Sequence, residues 1–185
     1  MAKRRKKKKQ NRFPLILVSF GLVLLSFWGI HRYFYARSIS LSDAILAQYA
    51  KEPSTLPAPI HITVASRISL PVVEAGKTDG AWAISQTSAN HVYESAMPGT
   101  RGNTIIYAHN AKNLFGRLDT VIVGDPVTIR TTDGALHRYT VTSTVWVTPG
   151  HTELLSPTTA ETLTLYTCAG ILDSLRIVVR AVPAK

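Results

Sequence analysis

Cys168 is the only cysteine in the chain, and six histidines could manage its proton: His31, His61, His91, His109, His137 and His151. A thiol attacks as its thiolate, which needs a neighbouring base and later a proton donor, most often histidine. A free cysteine is commonly just a small buried hydrophobe. Here strand alternation points the other way. In TLTLYTC (162–168), Leu163 and Leu165 mark the core face, so Cys168 falls on the opposite face with Thr164 and Tyr166. That arrangement predicts an accessible thiol at a strand end. Among the histidines, His109 closes the apolar strand NTIIYAH, where the chain turns out of the strand, and is the leading partner. His91, in the 85–102 loop, is the second candidate. His31 sits by an apolar stretch, His61 and His137 near strand starts, and His151 after Pro149-Gly150. Acyl transfer also needs positive charge at the developing oxyanion. In LRIVVRA (175–181), Ile177 and Val179 take the core face, leaving Arg176 and Arg180 on the other. If this strand pairs antiparallel with 162–168 through the short AGILDS loop, Arg176 lies beside Cys168. Arg180 is then about 13 Å further along and reads as a solvated strand charge.

These residues need a frame, and the charge distribution says where that frame sits. The 185 residues carry a net charge of +10, but Lys3 to Arg12 supply eight of those charges without an acid. The remaining chain has 13 basic and 11 acidic groups, which argues against a basic nucleic-acid-binding domain. Phe13–Ile30 follows, 18 residues without a charge. As a helix it would be about 27 Å long, close to the hydrocarbon thickness of a bilayer. With the basic run before it and the aromatic cluster Trp28, Tyr33, Phe34 and Tyr35 at its far end, it reads as an uncleaved signal anchor. The expected localisation is the cell membrane, single-pass, with residues 1–12 cytoplasmic and everything after residue 31 extracytoplasmic. An unpaired cysteine in an oxidising compartment is a liability unless it works.

Residues 31–58 read as an extracytoplasmic stalk, with a short helix capped at Ser42 and Asp43 running to Lys51, then Pro53, Pro57 and Pro59 enforcing an extended linker. The domain 59–185 reads as strands at 61–68, 71–76, 81–85, 103–109, 125–131, 137–148, 162–168 and 175–182, all rich in β-branched and aromatic residues. Turn chemistry separates them at Thr78-Asp79-Gly80, Pro98-Gly99, Asp133-Gly134 and Pro149-Gly150. Short helices are expected at 111–121 and 152–155. The fold class is mainly β, an eight-stranded barrel preceded by one transmembrane helix.

TLYTC (164–168) followed by RIVVRA (176–181) resembles the TLxTC…R signature of sortases. GNTIIYAHN (102–110) is similar to the sortase strand that ends in the catalytic histidine, and SAMPGTRGN (95–103) and NLFGRLDTVIVGDPVTIRTTDG (113–134) also fit the family pattern. The resemblance implies a cysteine transpeptidase in which Cys168 is the nucleophile, His109 the acid–base partner and Arg176 the oxyanion or substrate ligand. Ala108, Tyr166 and Thr167 are the implied substrate-binding positions; Ala108 stands where many sortases have glycine. The implied reaction cleaves an LPxTG-like sorting signal between Thr and Gly through a thioester. An amine on cell-wall precursor or pilin then takes the acyl group. Two other readings compete: a catalytically inactive, membrane-tethered peptide-binding barrel, and a different cysteine acyltransferase such as an L,D-transpeptidase, whose His-Gly-Cys type motif is not matched by Tyr-Thr-Cys-Ala. Some sortases bind calcium beside the groove, but loop 85–102 holds only Glu94 as an acid, so no metal and no cofactor are expected.

Overall fold

The computed structural model describes residues 13–37, 55–75, 77–78 and 81–185. It falls into two units, Met1–Arg37 and Ser38–Lys185. The capped helix expected from Ser42 and most of the stalk lie outside the described residues.

The first unit contains helix α1, Phe13–Arg37. Every large apolar side chain from Leu17 to Ile30 is more than half exposed, so the helix is apolar all round rather than striped. The membrane span expected here is not shown. Among the described residues no helix is long and apolar enough to cross a membrane, the side chains described in α1 being those of 17–30.

The second unit is built from β1 (Pro59–Val64), β2 (Ile68–Ala75), β3 (Lys77–Thr78), β4 (Ala81–Trp82), β5 (Ala89–Val92), β6 (Gly102–Tyr107), β7 (Pro126–Thr131), β8 (Leu136–Val147), β9 (Glu161–Ala169) and β10 (Leu175–Pro183). Eight of these close a barrel in the order β1-β2-β5-β6-β9-β10-β8-β7, and β3 pairs with β4 as a separate ribbon. Closure removes the unpaired edges that an open sheet would expose. Ile62, Val64, Ile106, Leu163, Leu165, Ile177 and Val179 fill the interior, and Leu114, Phe115 and Leu118 plug it from the 109–121 connection. A second, smaller core of Ala75, Val92, Ile105, Tyr107 and Leu155 forms apart from the first. Since Ile105, Tyr107 and Tyr166 alternate with inward residues, this second core covers the outer face of β6 and β9.

Four expectations need correction. The run 61–68 is not one strand: Ala65 and Ser66 adopt positive φ, which turns the chain into the β1–β2 hairpin. Only Ala81–Trp82 of 81–85 is strand, and it lies outside the barrel; the eighth barrel strand is β5, within the stretch read as loop. Residues 111–121 form successive turns with a single 3-10 turn at Leu118–Thr120 instead of a helix, whereas the short helix expected at 152–155 is present as the 3-10 helix Thr152–Leu155. A further 3-10 turn, Ile171–Asp173, occupies the β9–β10 loop.

Candidate active site

Two strand pairings assemble the site. β6 and β9 run parallel, with Tyr107 opposite Tyr166. The contact continues past the end of β6, where the Ala108 N–H donates to the Tyr166 carbonyl at 3.3 Å and the Thr167 hydroxyl donates to the Ala108 carbonyl at 2.8 Å. The residues that follow, His109 just past β6 and Cys168 near the end of β9, therefore lie at the same end of neighbouring strands. On the other side β9 pairs antiparallel with β10, placing Arg176 directly opposite Cys168 and Arg180 opposite Thr164. This is the pairing that alternation and the short loop predicted.

Cys168 does lie on the face opposite Leu163 and Leu165, but that face is not open. The thiol residue is only 6% exposed and Thr164 is fully buried. The expectation of an accessible thiol is corrected accordingly.

Arg176 is 1% exposed, and a cation so buried needs hydrogen-bonded partners. Its Nη1 donates to the carbonyls of Asp173 and Leu175, both at 2.6 Å, and its Nε donates to the Tyr166 hydroxyl at 2.8 Å. The loop that supplies the Asp173 carbonyl is tightly wound: Gly170, Leu172 and Asp173 have φ of 75°, 53° and 57°. For a non-glycine residue the left-handed region costs roughly 1–2 kcal/mol, so this short connection is held by its surroundings, Arg176 among them. A Cβ at Gly170 would approach Ser174 Oγ to 2.8 Å, which leaves glycine as the fitting residue.

His109 is half-buried and its Nε2 lies 3.0 Å from the Gln86 side-chain amide. Burial lowers its pKa below the ordinary 6.5, opposed by the charge of Asp173. The ring is thus held toward its neutral, proton-accepting form. Tyr166 Oη is the acceptor for Arg176; burial pushes the phenol pKa up, so it stays protonated.

The other histidines belong to local pairings. His91, the second candidate, is fully buried in β5, with Nε2 at 3.0 Å from Ser95 Oγ and Nδ1 at 3.9 Å from the Glu74 carboxylate. His61 contacts Ser69 at 3.3 Å, His137 contacts Thr131 at 3.5 Å, and His151 contacts Glu153 at 2.8 Å. Arg180 is not the solvated charge expected of it: its Nη2 donates to the Leu154 carbonyl at 2.9 Å, tying β10 to the 148–160 segment. Gln86 was absent from the sequence reading, since a loop glutamine carries no periodic or spacing signal. Among the described residues no group of three or more His, Cys, Asp or Glu is placed to hold a metal ion.

A family model for the Sortase domain matches residues 60–184, more than half of the chain. Among solved structures, sortase A from Corynebacterium diphtheriae is 29% identical with a TM-score of 0.59, over 70% of this chain and 62% of that one. A lid mutant of that sortase is 25% identical with a TM-score of 0.59, covering 89% of this chain and 95% of the mutant. The pilus-related sortase C of Group B Streptococcus, 24% identical with a TM-score of 0.59 over 71% and 69% of the two chains, shares the fold. The match spans less than two thirds of the first Corynebacterium chain's length. No curated protein matches the sequence.

Proposed function

This chain belongs to the sortase family, whose members act as cysteine transpeptidases, and from that premise we propose that Cys168, His109 and Arg176 carry out acyl transfer on a sorting-signal peptide. The observation that supports this most directly is the register that sets Arg176 opposite Cys168. The Cys168 thiol gives its proton to His109, and the resulting thiolate attacks the carbonyl carbon at the Thr–Gly bond of an LPxTG-like motif, forming a C–S bond and an oxyanion. Arg176, in a low-dielectric setting, stabilises that charge without needing to reorganise. The tetrahedral species collapses, the C–N bond breaks, and the leaving amine takes its proton from the His109 imidazolium. An acceptor amine then attacks the thioester and gives a proton to His109. The new C–N bond forms and the thiolate leaves. Ala108 and Thr167, buried and hydrogen-bonded to each other, support the backbone beneath the peptide rather than touching it, and Tyr166 binds Arg176.

The acceptor amine belongs to cell-wall precursor or to a pilin, and α1 anchors the enzyme with its catalytic domain outside. The support for the anchor is physical: an apolar surface on every side of α1 favours a hydrocarbon environment, and the eight charges before it favour the cytoplasmic side.

The test mixes the purified protein with LPxTG-like peptides and an amine, and looks by mass spectrometry for a thioester on Cys168 and an aminolysis product. Cys168→Ala should abolish both while leaving the circular dichroism spectrum unchanged. No adduct with any peptide would overturn the proposal in favour of an inactive peptide-binding barrel.

A further inference from the structure

The hydrogen bonds of Arg176 to the β9–β10 connection and to Tyr166 differ in kind. Both bonds from Nη1 go to main-chain carbonyls of the β9–β10 connection, Asp173 and Leu175. They hold one corner of the guanidinium and would be made by any arginine there. The bond from Nε is the contact on the opposite edge, and its acceptor is a side chain, Tyr166 Oη. A bond on a second edge narrows the orientations open to a planar guanidinium. Tyr166 is well placed for this. Arg176 pairs with Cys168 across the ladder, so Tyr166, two residues earlier in β9, is its diagonal neighbour, within reach of a long side chain. The tyrosine ring in turn packs against the second core of Ile105, Tyr107 and Leu155, which fixes the phenol itself.

We propose that Tyr166 is a positioning residue: wedged into the outer core, it holds the Arg176 guanidinium in the orientation in which that group serves the reaction at Cys168. The role differs from lining the peptide groove, and it rests on the reading of Arg176 as the oxyanion ligand. Residue 166 is the variable position of the TLxTC stretch, so the device belongs to this chain's own choice of residue. Phenylalanine would keep the packing and remove only the acceptor.

The test is a double-variant cycle of Tyr166→Phe and Arg176→Lys, measured as transpeptidation kinetics on full-length protein. Lysine keeps the charge but has no Nε–H to place against the phenol. Tyr166→Phe is expected to lower kcat about 10- to 100-fold with KM within about twofold, as loss of a hydrogen bond to a charged group would. In the Arg176→Lys background it is expected to cost no more than about twofold further. Thermal midpoints, measured alongside, identify any variant that fails to fold. A raised KM with kcat retained would make Tyr166 a groove residue and overturn the proposal, as would full multiplicative losses in the double variant. A second readout is independent of turnover: the exchange rate of the Arg176 Nε–H with water, followed by nuclear magnetic resonance and assigned by its disappearance in Arg176→Lys. It is expected to rise at least about tenfold in Tyr166→Phe, as release of a bound N–H requires. An unchanged rate would overturn the proposal even in a protein that turns over no peptide. Absence of turnover by the unsubstituted protein would instead refute the sortase mechanism itself.

Discussion

Thr167→Val isolates the link between the two halves of the proposed catalytic pair. Thr167 immediately precedes Cys168 and Ala108 immediately precedes His109, and the bond from the Thr167 hydroxyl to the Ala108 carbonyl is 2.8 Å long. Both residues are buried, at 1% and 2% exposure. Valine has the shape of threonine without the donor, so the change withdraws a hydrogen bond from a buried carbonyl and little else. Such a withdrawal costs roughly 1–3 kcal/mol. With an unfolding entropy of about 2.1 cal/mol/K per residue over about 125 domain residues, the midpoint should fall by about 4–12 °C. The carbonyl is one residue from the His109 ring, and a displacement of about 1 Å between reacting groups can cost 100-fold in rate. The expected result is therefore a fall of about 10- to 100-fold in kcat alongside the lower midpoint. Thr167→Ser, which keeps the hydroxyl, should stay close to the unsubstituted protein in both. Differential scanning calorimetry and steady-state transpeptidation provide the readouts. A Thr167→Val protein with unchanged midpoint and kcat would refute the argument. Equal damage from Thr167→Ser would show that the methyl group, not the hydrogen bond, matters.

Two further outcomes follow from the geometry. Arg176→Ala should lower kcat/KM by about 100- to 1,000-fold. Arg180→Ala, one turn of the pleat and more away and engaged with Leu154, should change kcat by less than about threefold and act through KM instead. Equal losses in kcat would refute the register argument. For pH, the folded His109 holds its proton less tightly than the ordinary 6.5 of an unfolded chain, burial being the main cause. Its stabilising contribution is then complete above that pH and is lost as pH falls through the lower folded value. The midpoint of the unsubstituted protein should thus drop relative to that of His109→Asn between about pH 7.5 and 5. A gap that stays flat or widens on acidification would contradict the sign.

How far the fold and site were legible depended on what each residue had to satisfy. Strands with one face on the barrel interior carried the period-two pattern, and β9 and β10 were read with the correct inward residues. β5 was missed because all four of its residues are buried, two of them polar: Asn90 binds the Tyr107 carbonyl and His91 binds Ser95. A four-residue strand without alternation leaves no periodic trace. The same cause misled the reading of Cys168. Alternation reports which side of the sheet a residue occupies, and says nothing of whether a distant segment covers that side. The second core that covers the outer face of β6 and β9 beside it draws Ala75, Val92 and Leu155 from three separate stretches. The 111–121 connection looked helical because Leu114, Phe115 and Leu118 have helical spacing, yet in the fold they plug the barrel from consecutive turns. Arg180 was misread for a related reason, since its partner is a main-chain carbonyl rather than a side chain.

The parallel pairing of β6 with β9 joins residues 59 positions apart in the chain. Parallel neighbours cannot be joined by a tight hairpin, and such non-local contacts form late, after loop closure has been achieved, on a scale of milliseconds to seconds. Until they form, Cys168 is an ordinary thiol with a pKa of about 8.5 and no imidazole beside it. Under the assignment proposed above, an unfolded chain therefore carries no activated nucleophile. Activation of the thiol then coincides with closure of the barrel, when β6 and β9 bring the two strand ends together.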